Sequence, residues 1–221
     1  MLVSHTHRFV FIHIYKTAGT SIAKALGPYN VPPYKRRSAK ILKRLGLPFP
    51  SKWNVGLSVE HKTAIEAHEQ LGPDVYDDFF SFAFVRNPWD WQVSVYQHIS
   101  RNVKHAMHED IFRLGSFESY VNWLCDPSVT ERDDRCQIDF IRDAHGNSMV
   151  DFIGRFESLG PDFETVCQRI GIKATLPKLN TADRRVDYRT WYNDRTIELI
   201  ATKYAKDIGQ FDYQFEQTAS A

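Results

Sequence analysis

Six consecutive residues near the start of the chain, Lys16-Thr-Ala-Gly-Thr-Ser21, combine the groups that bind a phosphate. Lys16 supplies a full positive charge, and Thr17, Thr20 and Ser21 supply hydroxyl donors. The small Ala18-Gly19 pair lets the backbone approach an anion closely, because glycine has no Cβ. A loop of this kind between a strand and a helix also offers backbone N–H groups and the helix dipole. The segment predicts an anion-binding loop, and the alternative is an ordinary strand-to-helix turn.

The order of the residues in this loop differs from that of the nucleoside-triphosphate P-loop. The P-loop motif places its lysine directly after the second glycine, followed by a hydroxyl residue that binds Mg²⁺. Here Lys16 precedes Gly19, and no acidic residue at a strand end is an evident Mg²⁺ ligand. We therefore expect the loop to hold a phosphate without a metal ion.

A second pair of anion-binding residues lies further along the chain. Arg86 directly follows the apolar run Phe79–Val85, and Ser94 lies about two turns into the helical pattern that comes next. A guanidinium binds a phosphate through two parallel hydrogen bonds, and a hydroxyl adds one more donor. The spacing predicts a second phosphate site if the turn is tight. The alternative is that Arg86 pairs with a nearby carboxylate such as Asp90.

The elements that must position these groups alternate between strands and helices. Three runs rich in β-branched and aromatic residues predict strands over Arg8–Tyr15, Phe79–Val85 and Val150–Phe156. Helical spacing predicts helices over Ile22–Leu26 (ended by Gly27-Pro28), Thr63–Leu71, Trp89–Ser100, Phe117–Cys125, Asp162–Ile170 and Trp191–Lys206, with a shorter piece at Ile138–Arg142. This alternation predicts an α/β fold with a central parallel sheet covered on both faces.

Length and composition limit the other classes. A chain of 221 residues predicts one domain over residues 1–221. The formal net charge of +1 argues against a nucleic-acid partner. Apolar runs stay below the roughly 18 residues of a membrane span. The three cysteines fit neither a zinc site nor a redox pair, so we expect reduced thiols and a cytoplasmic protein.

The two phosphate motifs resemble those of sulfotransferases that use 3′-phosphoadenosine 5′-phosphosulfate (PAPS). The segment His13–Ser21 looks like their 5′-phosphosulfate loop, and Phe84–Tyr96 looks like their 3′-phosphate motif. Val150–Glu157 and Asp207–Phe215 are similar to the carbohydrate-type branch (sulfotransferase family 2-like), especially its compact bacterial members. The resemblance covers most of the chain from Phe9 onward.

The resemblance implies a three-layer α/β/α, P-loop-NTPase-like fold and a transfer of the sulfuryl group from PAPS to a carbohydrate hydroxyl, with no metal ion. It assigns the 5′-phosphosulfate to Lys16–Ser21 and the 3′-phosphate to Arg86 and Ser94. The family often continues its arginine motif with Asp-Arg, where this chain has Asp90-Trp91. That difference leaves Arg86 and Ser94 in place.

The resemblance also implies a general base, because relatives carry a histidine upstream of the 3′-phosphate strand. His61 holds that position here, and the ordinary pKa of histidine suits proton transfer near neutral pH. Glu60 or Glu66 is the alternative base, and a surface or capping role is the alternative for His61. Lys16 is expected to stabilise charge on the leaving phosphate.

Two other functions stay open at this point. A nucleotide-dependent kinase on a related fold would need Mg²⁺ ligands, for which the sequence offers no evident candidates. A nucleotide- or glycan-binding module without catalysis would not need both Lys16 and a base. A late loop, from Pro177 to Tyr188, resembles the family's nucleotide-covering loop, although no single residue in it is assigned.

Overall fold

The protein is described by a computed structural model that covers residues 1–30, 41–42, 44–45, 61–130, 135–177 and 187–215. Two of the sequence interpretations lie outside these residues: the alternative base Glu60 and the greater part of the late loop, 178–186. The strands form one sheet in the order β1 (Leu2–Ser4), β2 (Phe9–Ile12), β3 (Phe80–Val85) and β4 (Phe152–Arg155).

The inner strands of the sheet are parallel and buried on both faces. Phe11 of β2 pairs with Phe82 of β3, and Phe84 of β3 pairs with Gly154 of β4. The rings of Phe11 and Phe82 stack with centroids 5.1 Å apart, while Ile12 on the opposite face is also fully buried. Strands buried on both faces are continuous apolar runs, which is why the sequence predicted them. The α/β class with a central, mostly parallel sheet is confirmed.

The described helices, numbered in chain order, are α1 (Gly19–Asn30), α2 (Ala64–Leu71), α3 (Pro73–Tyr76), α4 (Pro88–Arg101), α5 (His108–Arg113), α6 (Phe117–Cys125), α7 (Leu159–Arg169), α8 (Asp194–Lys203) and α9 (Ala205–Phe211). Two 3₁₀ turns lie at Gln137–Phe140 and Tyr188–Trp191. Over the described ranges, none of the helices has the length and apolar character needed to cross a membrane.

The chain divides into two compact units. The first, the sheet unit, consists of the described residues of Met1–Val85 and Asp139–Leu179 and holds the whole sheet. Its core packs Leu26 of α1 and Val166 of α7 against the phenylalanines of the strands. The expectation of a single domain over residues 1–221 stays a prediction.

The second unit, the helical unit, consists of the described residues of Arg86–Ile138 and Asn180–Ala221. Buried polar side chains join its helices. The side chain of Gln92 on α4 donates to the hydroxyl of Tyr204 at 2.9 Å and accepts from the hydroxyl of Tyr120 on α6 at 2.7 Å. The ring of Trp91 meets Tyr204 edge-on with centroids 5.4 Å apart. These contacts hold α4 against α6 and the C-terminal helices.

Several predicted boundaries are wrong. The sequence analysis predicted no strand before Arg8, but Leu2–Ser4 form β1, which pairs antiparallel with β2. Helix α1 does not end at Gly27-Pro28 but runs to Asn30, with Pro28 in its last turns, where a missing N–H removes one hydrogen bond. The single helix predicted over Trp191–Lys206 is interrupted at Tyr204, whose backbone leaves helical geometry, so that α8 and α9 are separate.

Candidate functional site

The loop between β2 and α1 has a strained backbone. Lys16 and Ala18 both adopt left-handed conformations, with φ of 61° and 69°. This conformation is uncommon for residues with a side chain and costs of order 1 kcal/mol or more each, so the surroundings must enforce it. Left-handed residues in a tight turn let successive N–H groups converge, as they do in anion-binding loops. The local backbone is therefore that expected of a phosphate loop.

The residue that precedes α1 is an alanine. Ala18 precedes the helix and its carbonyl accepts the N–H groups of Ser21 and Ile22, but its methyl group cannot cap the first turn. No acidic residue occupies that turn either. The first N–H groups of a helix lack partners within the helix and need an outside acceptor. Helix α2, in contrast, is closed by the Thr63–Glu66 capping box.

Gly19 is required for a reason that the sequence did not reveal. A Cβ built on Gly19 would lie 1.6 Å from Cδ2 and 1.7 Å from Nε2 of His13. The glycine thus makes room for the imidazole of His13, whereas the sequence indicated room for a phosphate. The His13 ring is 5% exposed, and this contact joins the end of β2 to the start of α1.

The hydroxyl residues of the loop differ in their surroundings. Thr17 is fully buried and its hydroxyl donates to the carbonyl of Ile14 at 2.8 Å. The Thr17 hydroxyl therefore holds the backbone of the loop and is not exposed to a ligand. Thr20 is exposed and Ser21 is half-buried, as is Lys16. The hydroxyls of Thr20 and Ser21 therefore remain candidates for direct contact with a ligand.

His61, the predicted base, lies against this loop. Its Nδ1 is 3.1 Å from the backbone carbonyl oxygen of His13, a residue 48 positions earlier. The two imidazole rings have centroids 4.5 Å apart, and the ring of Tyr15 meets His61 edge-on at 5.8 Å. The side chain of His61 is exposed while His13 is buried. The structure thus brings His61 together with His13 and Tyr15, which directly precede the loop.

The contact with the His13 carbonyl determines which nitrogen of His61 is basic. A carbonyl oxygen accepts hydrogen bonds and cannot donate them, so the hydrogen-bond network assigns the proton to Nδ1 of neutral His61. Nε2 then carries the lone pair. A backbone carbonyl that fixes the tautomer of a histidine in this way is a common feature of acid–base sites.

His13 is a buried imidazole that stays uncharged. Burial lowers its pKa to about 3, and the neighbouring His61 and the N-terminal amino group add to the effect. Its Nδ1 is buried and has no hydrogen-bond partner among the described residues. His13 therefore presents a neutral ring to His61 and Gly19 at physiological pH.

Glu66, an alternative base, has a structural role. Its carboxylate accepts the backbone N–H of Thr63 at 2.7 Å and the Thr63 hydroxyl at 3.1 Å. In return, the Thr63 hydroxyl accepts the N–H of Glu66. This reciprocal pair begins α2 two residues after His61. The capping box therefore fixes the backbone that directly follows His61.

Arg86 forms an ion pair with Asp90, the alternative that the sequence left open. Nε and Nη2 donate to the two carboxylate oxygens at 2.7 Å each, and the side chains are 12% and 22% exposed. The pair uses two N–H donors of the guanidinium and both oxygens of the carboxylate. Ser94 is half-buried on α4, one turn beyond Asp90 on the same helix face.

The backbone of Arg86 is held by a network that the sequence did not reveal. The side-chain amide of Gln137 bonds both the N–H and the carbonyl of Arg86, and the buried carboxylate of Asp207 bonds Gln137. Asn87 caps α4 through the N–H of Trp89 and donates to the carbonyl of Gln214. In the sequence, these residues are recognisable only as polar residues within otherwise apolar stretches, which does not indicate their partners.

The described part of the chain contains no group of three or more His, Cys, Asp or Glu side chains arranged to hold a metal ion. Among the same residues, Cys125, Cys136 and Cys167 do not take part in disulfide bonds.

Comparison with known proteins gives one family match. The family model Sulfotransfer_2, described as "Sulfotransferase family", matches residues 1–214. The match includes every residue assigned above to the loop, to His61 and to the Arg86 motif.

Two individual proteins are also similar. An uncharacterized protein of Archaeoglobus fulgidus is 32% identical over 120 residues, which covers 51% of this chain and 86% of that protein. A crystal structure of a sulfotransferase from Alicyclobacillus acidocaldarius aligns over 94% of this chain and 96% of its own, with 14% identity and a TM-score of 0.42.

Proposed function

This chain belongs to the sulfotransferase family, and from that premise we propose that it moves the sulfuryl group of PAPS to a hydroxyl of a carbohydrate acceptor. The observation that supports the proposal most is the contact of His61 with His13 at the end of β2. This contact places a basic nitrogen beside the predicted anion-binding loop Lys16–Ser21. PAPS supplies the activated sulfuryl group and the 5′-phosphate on which charge develops.

In this proposal the loop binds the 5′-phosphosulfate. Lys16 supplies the positive charge, and the backbone N–H groups of Thr17 to Thr20 supply aligned dipoles. The first turn of α1, which holds no acidic residue and which the side chain of Ala18 cannot cap, and the left-handed residues Lys16 and Ala18 fit an anionic ligand. Charge that grows on the leaving phosphate is then met by donors that need no rearrangement, which is the most effective form of electrostatic stabilisation.

His61 acts in this proposal as the general base. Nε2 accepts the proton of the acceptor hydroxyl, while Nδ1–H stays bonded to the His13 carbonyl and stabilises the imidazolium that forms. The cap on α2 and the ring of Tyr15 hold the imidazole in position. Glu66 is already engaged in that cap, which favours His61 over this carboxylate.

Arg86 and Ser94 bind the 3′-phosphate in this proposal. The pair with Asp90 orients the guanidinium plane, and binding of the phosphate exchanges hydrogen bonds with Asp90 for hydrogen bonds with the phosphate. The proposal of a carbohydrate acceptor is based on the family resemblance. The proposal of a cytoplasmic location is based on the three cysteines, which form no disulfide bond.

Calorimetric titration without Mg²⁺ tests the donor. The ligands are adenosine 3′,5′-bisphosphate (the desulfated product, PAP), 5′-ADP and ATP. We expect binding of PAP with a clear preference over 5′-ADP, and loss of that preference in Arg86→Ala. Arg113→Ala is the matched control, because Arg113 also forms an ion pair with the residue four positions away, Glu109, on an exposed helix face. A preference for ATP, or a requirement for Mg²⁺, would indicate the kinase instead.

Transfer of a labelled sulfuryl group from PAPS to desulfated polysaccharide tests the base in the same preparation. His61→Gln should lower turnover by about 10²–10⁴-fold, the usual contribution of a general base, while PAP still binds. His145→Gln, at an exposed histidine, serves as the control. Full turnover in His61→Gln would exclude His61 as the base. PAP binding by the wild type with no transfer to any acceptor would favour the binding module.

A further inference from the structure

We propose that Gln137 and Asp207 are positioning residues for Arg86, so that discrimination in favour of a 3′-phosphorylated nucleotide depends on two side chains that do not touch the nucleotide. The inference rests on the proposed function, in which Arg86 binds the 3′-phosphate. All three residues belong to the helical unit.

The first step is the contact between Gln137 and the main chain of Arg86. The N–H of Arg86 donates to Oε1 of Gln137 at 2.8 Å, and Nε2 of Gln137 donates to the carbonyl of Arg86 at 2.7 Å. Gln137 is fully buried. One side chain therefore bonds both backbone polar groups of Arg86, at the point where the chain leaves β3 and approaches α4.

The second step is the contact between Asp207 and Gln137. Asp207 on α9 is fully buried, and its carboxylate accepts the backbone N–H groups of Gln137 and Ile138 at 2.8 Å each. Nε2 of Gln137 lies 3.4 Å from the same carboxylate. Removing a carboxylate from water is costly unless it is well hydrogen-bonded, so these donors are needed for Asp207 to stay there.

The two contacts together fix the orientation of the Gln137 amide. A rotation by half a turn would point the NH₂ group at the N–H of Arg86 and the amide oxygen at the carbonyl of Arg86 and the carboxylate of Asp207. Each of those pairs is repulsive because donors would meet donors and acceptors would meet acceptors. Asp207 thus determines the direction in which Gln137 holds the backbone of Arg86.

The backbone of Arg86 in turn determines where its guanidinium can reach. The neighbouring residue is held as well, because Asn87 bonds the N–H of Trp89 and the carbonyl of Gln214. A bidentate contact between a guanidinium and a phosphate depends strongly on geometry, and charge-assisted hydrogen bonds are about twice as strong as neutral ones. A small displacement of the backbone should therefore weaken recognition of the 3′-phosphate before it weakens any other part of nucleotide binding.

Gln137→Met in the full chain tests the inference. Methionine has nearly the same length but no hydrogen-bonding amide, so the backbone of Arg86 loses both partners. The quantity measured is the ratio of the dissociation constants for 5′-AMP and PAP, which isolates the contribution of the 3′-phosphate. We expect this ratio to fall by about tenfold or more, the size expected from weakening a hydrogen bond to a charged group.

Gln92→Met is the matched control. Gln92 is also a buried glutamine of the helical unit with two side-chain hydrogen bonds, to Tyr204 and Tyr120. Its loss should lower the free energy of unfolding by a similar amount and leave the ratio unchanged. Equal ratios for Gln137→Met, Gln92→Met and the wild type would overturn the positioning role. If Gln137→Met does not fold, as judged by circular dichroism, the same ratio in Asp207→Asn decides, and a wild-type ratio there overturns the inference.

Failure of the proposed function gives a different result. A wild-type ratio near one, or a ratio that Arg86→Ala leaves unchanged, means that Arg86 does not read a 3′-phosphate. A high wild-type ratio that is lost in Arg86→Ala but retained in Gln137→Met leaves the proposed function intact and rejects only the positioning residues.

Discussion

At the scale of single residues, His13 and Gly19 determine each other's identity. Because a Cβ at position 19 would lie 1.6 Å from the His13 ring, Gly19→Ala must displace either the imidazole or the start of α1. We expect a loss of about 1–3 kcal/mol in the free energy of unfolding, as for other overpacked sites, and weaker PAP binding. Urea denaturation and calorimetry measure the two effects.

The double variant His13→Ala/Gly19→Ala is the control for this prediction. Removing the imidazole leaves room for the new methyl group, so Gly19→Ala should cost little stability when His13 is already alanine. The two substitutions should therefore be strongly non-additive. Additive effects would mean that Gly19 is needed for some property other than its contact with His13.

The sequence predicted those parts of the candidate site whose residues lie close together along the chain. The loop Lys16–Ser21 and the spacing of Arg86 and Ser94 could be predicted from the chemistry of adjacent residues. The contacts of Arg86 with Gln137 and of Gln137 with Asp207 could not, because they join residues 51 and 70 positions apart. Nothing in the sequence near any of these three residues indicates the other two.

At the scale of elements, strand β4 depends on a close approach to β3. A Cβ on Gly154 would lie 2.5 Å from the ring of Phe84, which is fully buried in the sheet core. Gly154→Ala should therefore destabilise the chain by about 1–3 kcal/mol, because the ring has nowhere to move. Chemical denaturation monitored by circular dichroism measures the loss.

Gly160→Ala is the control at the same scale. Gly160 lies in the first turn of α7, and a Cβ there meets no atom within 4 Å. Alanine favours helix over glycine by up to about 1 kcal/mol, so this variant should be neutral or more stable than the wild type. If both alanine variants shift stability in the same direction, the contact between Gly154 and Phe84 does not limit the packing of β4.

Strands and helices could be predicted where one hydrophobic pattern runs through the whole element. The residues at which they begin and end could not. The run Phe79–Val85 is apolar throughout because parallel strands are buried on both faces, and β3 follows it closely. Helix α8 instead begins at a capping box made by Asn193 and Thr196, inside the region where the sequence predicted one continuous helix. Caps of this kind depend on one or two residues, which periodicity over a longer window does not detect.

At the scale of the whole molecule, the alternation of strands and helices predicted the α/β class correctly but could not predict the division of the chain into two units. The sheet unit includes Asp139–Leu179, and the helical unit includes Arg86–Ile138, so the chain leaves the first unit and later returns to it. The chain passes from the sheet unit to the helical unit at Arg86, the first residue of the predicted 3′-phosphate pair Arg86 and Ser94. No shift in the amino-acid composition marks these crossings.

The stability of the whole chain should depend on pH through His13. Its pKa is about 3 in the folded protein and about 6.5 when unfolded, so as the pH falls the unfolded chain takes up this proton first. The contribution of His13 to the free energy of unfolding is full at pH values above the pKa of the unfolded state. It is lost progressively as the pH falls toward the pKa of the folded state. Between about pH 7 and about pH 5, one such histidine lowers the free energy of unfolding by about 2 kcal/mol.

Urea denaturation at the two pH values, in the wild type and in His13→Gln, isolates this contribution from that of the other histidines. Glutamine does not titrate, so the difference between wild type and variant should grow in favour of the variant by about 2 kcal/mol on acidification. If His13→Gln retains the full pH dependence, then another group controls acid stability and His13 is protonated with little cost in the folded protein. That outcome would also remove the reason for treating His13 as a neutral support for His61, since a charged ring 4.5 Å away would repel the imidazolium that the proposed base must become.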